Sequence, residues 1–396
     1  MKVRVLACLG IFCFLALGAT GCVSSAEQQG YSGVVPRDGI LYLGSTDGKI
    51  MAANASARSQ ELPFPSANGE WSFAITVPSG GISCGSSSKP DSIYAAPLVV
   101  DGLVCIGTYG GKVMMLSPSA RNQDLSFPHL RSGEWVYPRT DEVIGPIVGR
   151  PVAVKDTVYV CSSDGKVYAL DIAYGDERWI SAPLDDKLWA TPMVKDEVIY
   201  VSTFDGRIYS LSAEDGGLLP WVFKAETGFV SSPVLYEDII LVGSFDSKLY
   251  AIRIGDDKPL WEFLGGNWFW AAPLVSDGIV YAACLDGKVY ALDAERGKES
   301  WQFDTGGRIV SSPILVDDSL VVATEPGNVF VINPKTGSGE RIVNPDDSEN
   351  GKSLIDARIQ SALCVLDGIV YIRAQDNCLY AVDVAEREIE LKFPLA

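Results

Sequence analysis

Asp286-Gly287-Lys288-Val289-Tyr290-Ala291-Leu292 decides the fold, because its pattern returns along the chain at nearly constant spacing. It reads Asp164-Gly165-Lys166-Val167-Tyr168-Ala169-Leu170 and again Asp205-Gly206-Arg207-Ile208-Tyr209-Ser210-Leu211. Aligned on this turn, the chain divides into eight units, with turn positions at Asp47, Gly110, Asp164, Asp205, Asp246, Asp286, Pro326 and Asp376. The middle intervals are 41, 41, 40 and 40 residues, and the outer ones, 63, 54 and 50, carry insertions. Self-similarity near 40 residues marks a closed ring or solenoid of small β units that bury their faces only against one another.

Each unit reads as four strands. Strand A is the Ser-Ser-Pro-type run, as in Val230-Ser231-Ser232-Pro233-Val234-Leu235, and strand B is an apolar run such as Gly278-Ile279-Val280-Tyr281-Ala282-Ala283. Continuous apolarity is what a strand covered on both faces requires. The Asp-Gly pair predicts a two-residue type I′ hairpin loop between strands B and C, since that turn needs positive φ at both centres. Strand C follows as Lys288–Leu292, Asp293–Lys298 turns the chain, and strand D carries Trp301-Gln302-Phe303. The strand-D tryptophan recurs as Trp71, Trp135, Trp179, Trp221, Trp261 and Trp301, with Arg341 and Leu391 in the last two units. One large flat ring per unit is a natural wedge between neighbouring sheets. The expected fold is all-β: an eight-bladed β-propeller of four-stranded antiparallel blades over residues 31–393. The first unit starts on strand A at Tyr31 and the last ends on strand D at Ile389–Phe393, so the ring should close without a shared blade.

Composition agrees with a globular all-β chain: 47% hydrophobic, 21% charged, and 39 glycines and 22 prolines for its turns in 396 residues. The net charge of −18 argues against unaided binding of nucleic acid or anionic lipid, which needs a basic surface.

The N-terminus reads as a targeting segment. Met1–Arg4 is a short basic start, Val5–Leu17 is apolar and uncharged, and Gly18-Ala19-Thr20-Gly21 leads into Cys22. At 13 residues the apolar run is too short to span a bilayer as an independent helix. The pattern resembles a bacterial lipoprotein signal, which implies that Cys22 becomes the lipidated first residue. It departs from that pattern at Ala19, where leucine is usual, and Ala19-Thr20-Gly21 also satisfies an ordinary cleavage site that would release a soluble protein. The expected organisation is a signal peptide over 1–21, a lipidated Cys22 with a polar tether over 22–30, and the propeller over 31–393. The expected location is extracytoplasmic, anchored in a bacterial membrane by acyl chains.

The cysteines beyond the anchor, Cys84, Cys105, Cys161, Cys284, Cys364 and Cys378, match no CxxC spacing. Cys364 and Cys378 fall on the first and third strands of one unit, about twice the ~4.8 Å strand spacing apart and out of reach of a disulfide. Buried free thiols are expected.

Ala291-Leu292-Asp293-Ala294-Glu295-Arg296-Gly297-Lys298-Glu299-Ser300-Trp301, with weaker copies at Ala169–Trp179 and Ser210–Trp221, resembles the tryptophan-docking repeat of quinoprotein-type (PQQ-like) β-propellers. The resemblance covers nearly the whole chain after the leader. A propeller lipoprotein of this size is similar, within that superfamily, to the lipoprotein of the β-barrel assembly machinery. That likeness implies a non-catalytic scaffold for protein partners, including a β-barrel assembly component if an outer membrane exists. The alternative it implies is a quinone (PQQ) or other small-ligand binder, including a quinoprotein-type oxidoreductase. Quinoprotein enzymes hold the quinone with Ca²⁺, use an aspartate base and often carry adjacent cysteines; this chain has no Cys-Cys pair. Its aspartates recur in turns, where they have structural work. Calcium needs six to eight gathered oxygens. The single histidine, His129, cannot build a multi-histidine metal site and lies in the insertion 117–133. No GxSxG, P-loop or HExxH motif occurs. No catalytic, cofactor-binding or metal residue is assigned.

One constellation points to partner binding. The residue three before the strand-A proline position is Tyr31, Tyr94, Val148, Trp189, Val230, Trp270, Val310 and Gln360. Strand A is innermost in a propeller, so these residues lie near one mouth of the channel, on the face where insertions 78–92, 139–149 and 344–356 join strand D to the next strand A. Trp268 and Phe269 precede Trp270 there. Aromatic side chains on an accessible rim are typical anchors for a protein. Tyr94, Trp189, Trp268 and Trp270 are the candidate contacts.

Overall fold

The computed structural model describes residues 32–395, apart from 46, 56–63, 67, 78–88 and 344–351. Tyr31, Cys22, Cys84 and the leader lie outside the described residues. Eight four-stranded antiparallel sheets follow one another in chain order, each built from four consecutive strands. Blade six is representative: strand A is Leu274–Ser276, B is Ile279–Ala283, C is Lys288–Asp293 and D is Glu299–Asp304. Strand A of blade one, Val35–Arg37, packs beside the A strands of blades two and eight, which closes the ring. No strand is shared between blades: blade one holds its own four, and blade eight ends on its own strand D, Glu388–Pro394.

The buried apolar side chains form eight clusters among the described residues, each uniting the facing sheets of two neighbouring blades. Strand B and strand C are buried almost throughout because both of their faces are covered. The closing interface joins Leu41, Leu43 and Met51 of blade one to Leu379, Leu391 and Phe393 of blade eight. The thiols of Cys105, Cys161, Cys284, Cys364 and Cys378 are free and buried in these layers. Burial pushes the Cys105 thiol up to about 12, so it stays protonated and behaves as a small apolar group.

The tryptophan wedge works through two contacts. The indole N–H of Trp261 donates to the carbonyl of Ala294 in the next blade at 2.9 Å, and Trp135, Trp179, Trp221 and Trp301 make the same bond to Ile172, Ala213, Asp256 and Pro334. The ring then lies against the glycine of the receiving turn. An added Cβ would come within 2.4–2.5 Å of the ring at Gly175, Gly216, Gly297 and Gly337. Trp71 departs from the pattern, because its buried indole N–H has no acceptor.

Two expectations about strand ends are corrected. The B–C loop is not a two-residue type I′ turn. Gly165 N–H donates to the Ser162 carbonyl and Ser162 N–H donates to the Lys166 carbonyl, so the loop spans three residues. Only its last residue needs positive φ, as in a turn followed by a left-handed bulge residue. That residue is glycine in six blades, and Ser247 and Asn377 in the other two. The aspartate at the turn position serves differently. Asp286 Oδ1 accepts Lys288 N–H and Oδ2 accepts the Tyr290 hydroxyl at 2.6 Å, and Asp164, Asp246 and Asp376 repeat both bonds. The two-residue loops with positive φ at both centres are the A–B hairpins, such as Asp38-Gly39 and Asp277-Gly278.

Strand A also begins later than the Ser-Ser-Pro run. In blade five it is Val234–Tyr236, since Pro233 has no N–H to give the ladder. The serine two before the proline replaces the missing backbone bond: Gly243 N–H donates to Ser231 Oγ at 2.8 Å, and Ser311 and Ser361 hydroxyls donate to Ala323 and Arg373 carbonyls.

The insertion 117–134 is ordered and lies between strands C and D of blade two, with a helix at Pro118–Asn122 packed on strand D of blade one. Its anchor is the buried pair Arg121–Glu134 at 2.8 Å. Glu134 also accepts the backbone N–H of Ser117 and of His129, and the Arg121 guanidinium lies 4.8 Å over the Phe73 ring.

Candidate functional site

The face formed by the B–C turns and the D–A loops is held together by a repeated backbone bond. The residue before each turn position donates its N–H to the D–A loop: Tyr109 to Ser92, Phe204 to Lys187, Phe245 to Gly228, Leu285 to Trp268 and Gln375 to Arg358. This brings two columns of side chains side by side around the axis. One column is the predicted position three before the strand-A proline, half-buried in all seven described blades. The other is the residue before the turn. Tyr94 meets Tyr109 at 5.0 Å between ring centroids, Trp189 meets Phe204 edge-on at 4.6 Å, and Gln375 Nε2 donates to Gln360 Oε1 at 2.7 Å.

Three of the four predicted aromatics are thereby seated in described contacts. Trp189 also donates its indole N–H to Ser163 Oγ at 2.8 Å, with Lys187 Nζ 5.8 Å over the ring. From Phe204 the contacts continue to Phe245 at 5.7 Å and on to Trp268 at 5.0 Å, edge to face. A continuous arc, Trp189–Phe204–Phe245–Trp268, therefore crosses blades four to six, every ring half-buried. Trp268 and Trp270 flank Phe269, which is 1% exposed and belongs to the blade five–six core. Tyr94 stands apart from the arc, paired with Tyr109 in blade two.

Phe204 and Phe245 were missed from sequence. The signal was available in Phe204-Asp205 and Phe245-Asp246, where an aromatic precedes the turn aspartate.

Across blades seven and eight the same two columns hold Glu325, Gln360 and Gln375, polar but for Val310. Gln360 Nε2 donates to Glu325 Oε1 at 2.9 Å, and Arg308 and Arg358 approach the Glu325 carboxylate at 3.8 and 3.9 Å. Both arginines are about half or more exposed. The face is thus divided, with an aromatic sector beside a guanidinium–amide sector.

Crevices among the described residues include two between blades. One of about 470 Å³ is lined by Tyr137, Arg139, Glu142, Tyr168 and Glu177, between blades two and three. The other, about 710 Å³, is lined by Asp156, Arg178, Trp179, Lys195 and Glu197, between blades three and four. No group of three or more His, Cys, Asp or Glu side chains among the described residues is placed to hold a metal ion.

The docked tryptophans, the repeat period and the eight consecutive sheets define a PQQ-type eight-bladed β-propeller. A family model described as outer membrane protein assembly factor BamB matches residues 131–262 and again 217–393, and the chain belongs to that family. No curated protein matches the chain. Among solved structures it is similar to BamB from Moraxella catarrhalis, at 17% identity and a TM-score of 0.61, covering 87% of this chain and 91% of that one. It is also similar to the computationally designed Ika8 protein, at 15% identity and a TM-score of 0.63, covering 88% and 94%. At these identities the structural likeness speaks for the fold.

Proposed function

We propose that this protein is a lipid-anchored, extracytoplasmic, non-catalytic scaffold that binds a protein partner on the D–A face and serves outer-membrane protein assembly. The observation that carries the reading is the aromatic arc, four half-buried rings in series on the face bearing the longest inter-blade loops. Half-buried aromatics held by packing lose little conformational entropy on binding and give large contact area, which is what interface anchors need. Tyr94, Trp189, Trp268 and Trp270 are the proposed contacts. Family membership supports the assembly role, and the leader ending at Cys22 supports the anchor. The acidic surface disfavours nucleic acid as the partner.

The test is photo-crosslinking of the protein in its native membranes, beside a variant with Trp189→Ala, Trp268→Ala and Trp270→Ala whose fold is verified by circular dichroism. Capture of an outer-membrane barrel component by the wild type, lost in the variant, is the expected result. Undiminished capture by the folded variant would remove the arc from the interface. Separately, Cys22→Ala should abolish incorporation of labelled palmitate and release the protein from membranes; retention of label would sink the anchor.

A further inference from the structure

The eight residues immediately before the strand-A proline position form the layer where the blades meet at the axis. At Gly33 a Cβ would lie 3.1 Å from Ala362 Cβ and 3.4 Å from Ala96 Cβ, its counterparts in the two flanking blades. Seven of the eight are glycine, alanine, serine or threonine, as so close an approach demands. The exception is Arg150 of blade three.

Arg150 is anomalous in three respects. It is the one charged side chain of this layer. It is half-buried, and its Nε is buried with no hydrogen-bond partner. It also forms no ion pair among the described residues, in a chain with 50 acidic residues and a net charge of −18. Desolvation holds its guanidinium below the ordinary arginine value, with no neighbouring carboxylate to raise it.

The layer supplies further donors beside it. Thr191 Oγ1, in blade four, accepts the backbone N–H of Arg150 at 3.1 Å. Ser232 Oγ, in blade five, accepts the N–H of Thr191 at 3.4 Å. Each hydroxyl accepts through a lone pair, and its own proton has no acceptor among the described residues. One sector of the axial layer therefore carries an arginine and two hydroxyl residues, linked in series through the backbone N–H groups of Arg150 and Thr191, whose side-chain donors have no protein acceptor among the described residues. Burying the Nε of a charged guanidinium without a partner is costly, and a guanidinium fork matches the paired oxygens of an oxyanion.

We propose that the axial layer of blades three to five binds a compact oxyanion, a carboxylate or phosphate group, with Arg150 as the cationic ligand and the Thr191 and Ser232 hydroxyls as supporting donors. The site lies next to the aromatic arc, Thr191 following Trp189 by two residues, and does not depend on the scaffold reading.

The test is thermal unfolding of the full chain in sodium acetate, sodium phosphate and sodium chloride at equal ionic strength. A ligand of the folded state raises the midpoint as RT ln(1 + [L]/Kd). A rise over chloride that sets in near Kd and then grows with the logarithm of anion concentration is expected in acetate, in phosphate or in both, and which salt acts distinguishes a carboxylate from a phosphate ligand. Arg150→Met should lose the rise, and Thr191→Val, which keeps the charge, should need severalfold more anion for the same rise. A wild type indifferent to both oxyanions up to tens of millimolar would overturn the proposal. So would a rise of equal size in Arg150→Met. Should that variant not fold, Arg150→Gln, which keeps the polar stem, answers the same question.

Discussion

Gly297 adopts φ +64, and an added Cβ would lie 2.5 Å from the Trp261 ring, so two separate costs forbid a side chain there. The corresponding position in blade eight is Arg387, at φ 61. It tolerates a side chain because the wedge position of blade seven holds Arg341, which bonds Asn328 within its own blade, and not a tryptophan. The glycine thus answers to the ring more than to the backbone. Gly297→Ala should destabilise by about 2–5 kcal/mol in urea unfolding, summing left-handed strain and overpacking. Arg387→Gly should fall within about 1 kcal/mol of wild type, on the stabilising side, because it relieves the strain and loses only the exposed pair with Glu340. Equal effects at the two positions would refute the argument. Asp91 offers a second residue-scale test. It is 4% exposed and occupies the space left by Gly110, the one glycine at a turn position: Oδ1 accepts Gly110 N–H at 2.6 Å while Oδ2 is buried without a partner. Desolvation raises its pKa, with hydrogen bonds from Thr108 and Gly110 opposing. A carboxyl with a raised folded-state pKa binds more protons folded than unfolded, so its ionisation costs stability as pH rises from the ordinary carboxylate value through the raised one. Asp91→Asn keeps the acceptor for Gly110 and removes that cost. The variant should be more stable than wild type at pH 8, and the difference should shrink toward pH 4; a constant difference would show that ionisation of Asp91 is not its source.

At the scale of the element, the tryptophan wedge consists of a ring and a bond, and the two can be separated. Trp261 has both, whereas the buried N–H of Trp71 has no acceptor. Phenylalanine removes the N–H and some ring area at each site. Trp261→Phe should therefore cost about 1 kcal/mol more than Trp71→Phe, the net worth of one such bond. Equal losses in chemical denaturation would mean that the Ala294 carbonyl finds water at no cost. The same scale explains what the chain concealed. The wedge, the strand order and the blade count were legible because side-chain burial repeats with the period of the blade. The loop type between strands B and C was not, since Asp-Gly occurs in both hairpins of a blade. A hydroxyl residue two before the turn position marks the wider, three-residue loop in six blades, as Thr203 does by accepting Arg207 N–H, but Cys284 and Ala374 stand there in the other two and the loop forms without it. The arc was half-legible. Tyr94, Trp189 and Trp270 stood out as large rings in one alignment column, with Trp268 two residues before Trp270, but Phe204 and Phe245 belong to a column read only as turn flank. Arg150 was overlooked because the column one before the proline is otherwise small and uniform.

The whole molecule is a ring whose eight interfaces are alike in kind, so its cooperativity depends on the one that chain connectivity does not enforce. Seven interfaces join blades adjacent in sequence. The eighth joins blade eight to blade one, and no strand crosses it. Closure there rests on packing: Phe393, 1% exposed, inserts among Leu41, Leu43 and Met51, with Leu391 and Leu379 beside it. The interface also lacks a tryptophan, since Leu391 holds the wedge position of blade eight. Burial of apolar side chains at about 1.5–3 kcal/mol each is then the main term holding the ends together. Phe393→Ala should cost about 3–5 kcal/mol by transfer and cavity terms. Its distinctive signature should be spatial. In hydrogen exchange, blades one and eight should open below the global unfolding free energy, while blades four and five keep wild-type protection, because a broken ring becomes a linear array that frays from its ends. Phe223→Ala, a similarly buried phenylalanine at the blade four–five interface, provides the control. There the connecting chain keeps the two blades together, so opening should not be confined to blades one and eight. If both variants loosen every blade to the same extent, the ring unfolds as a single unit, and closure has no special standing among its interfaces.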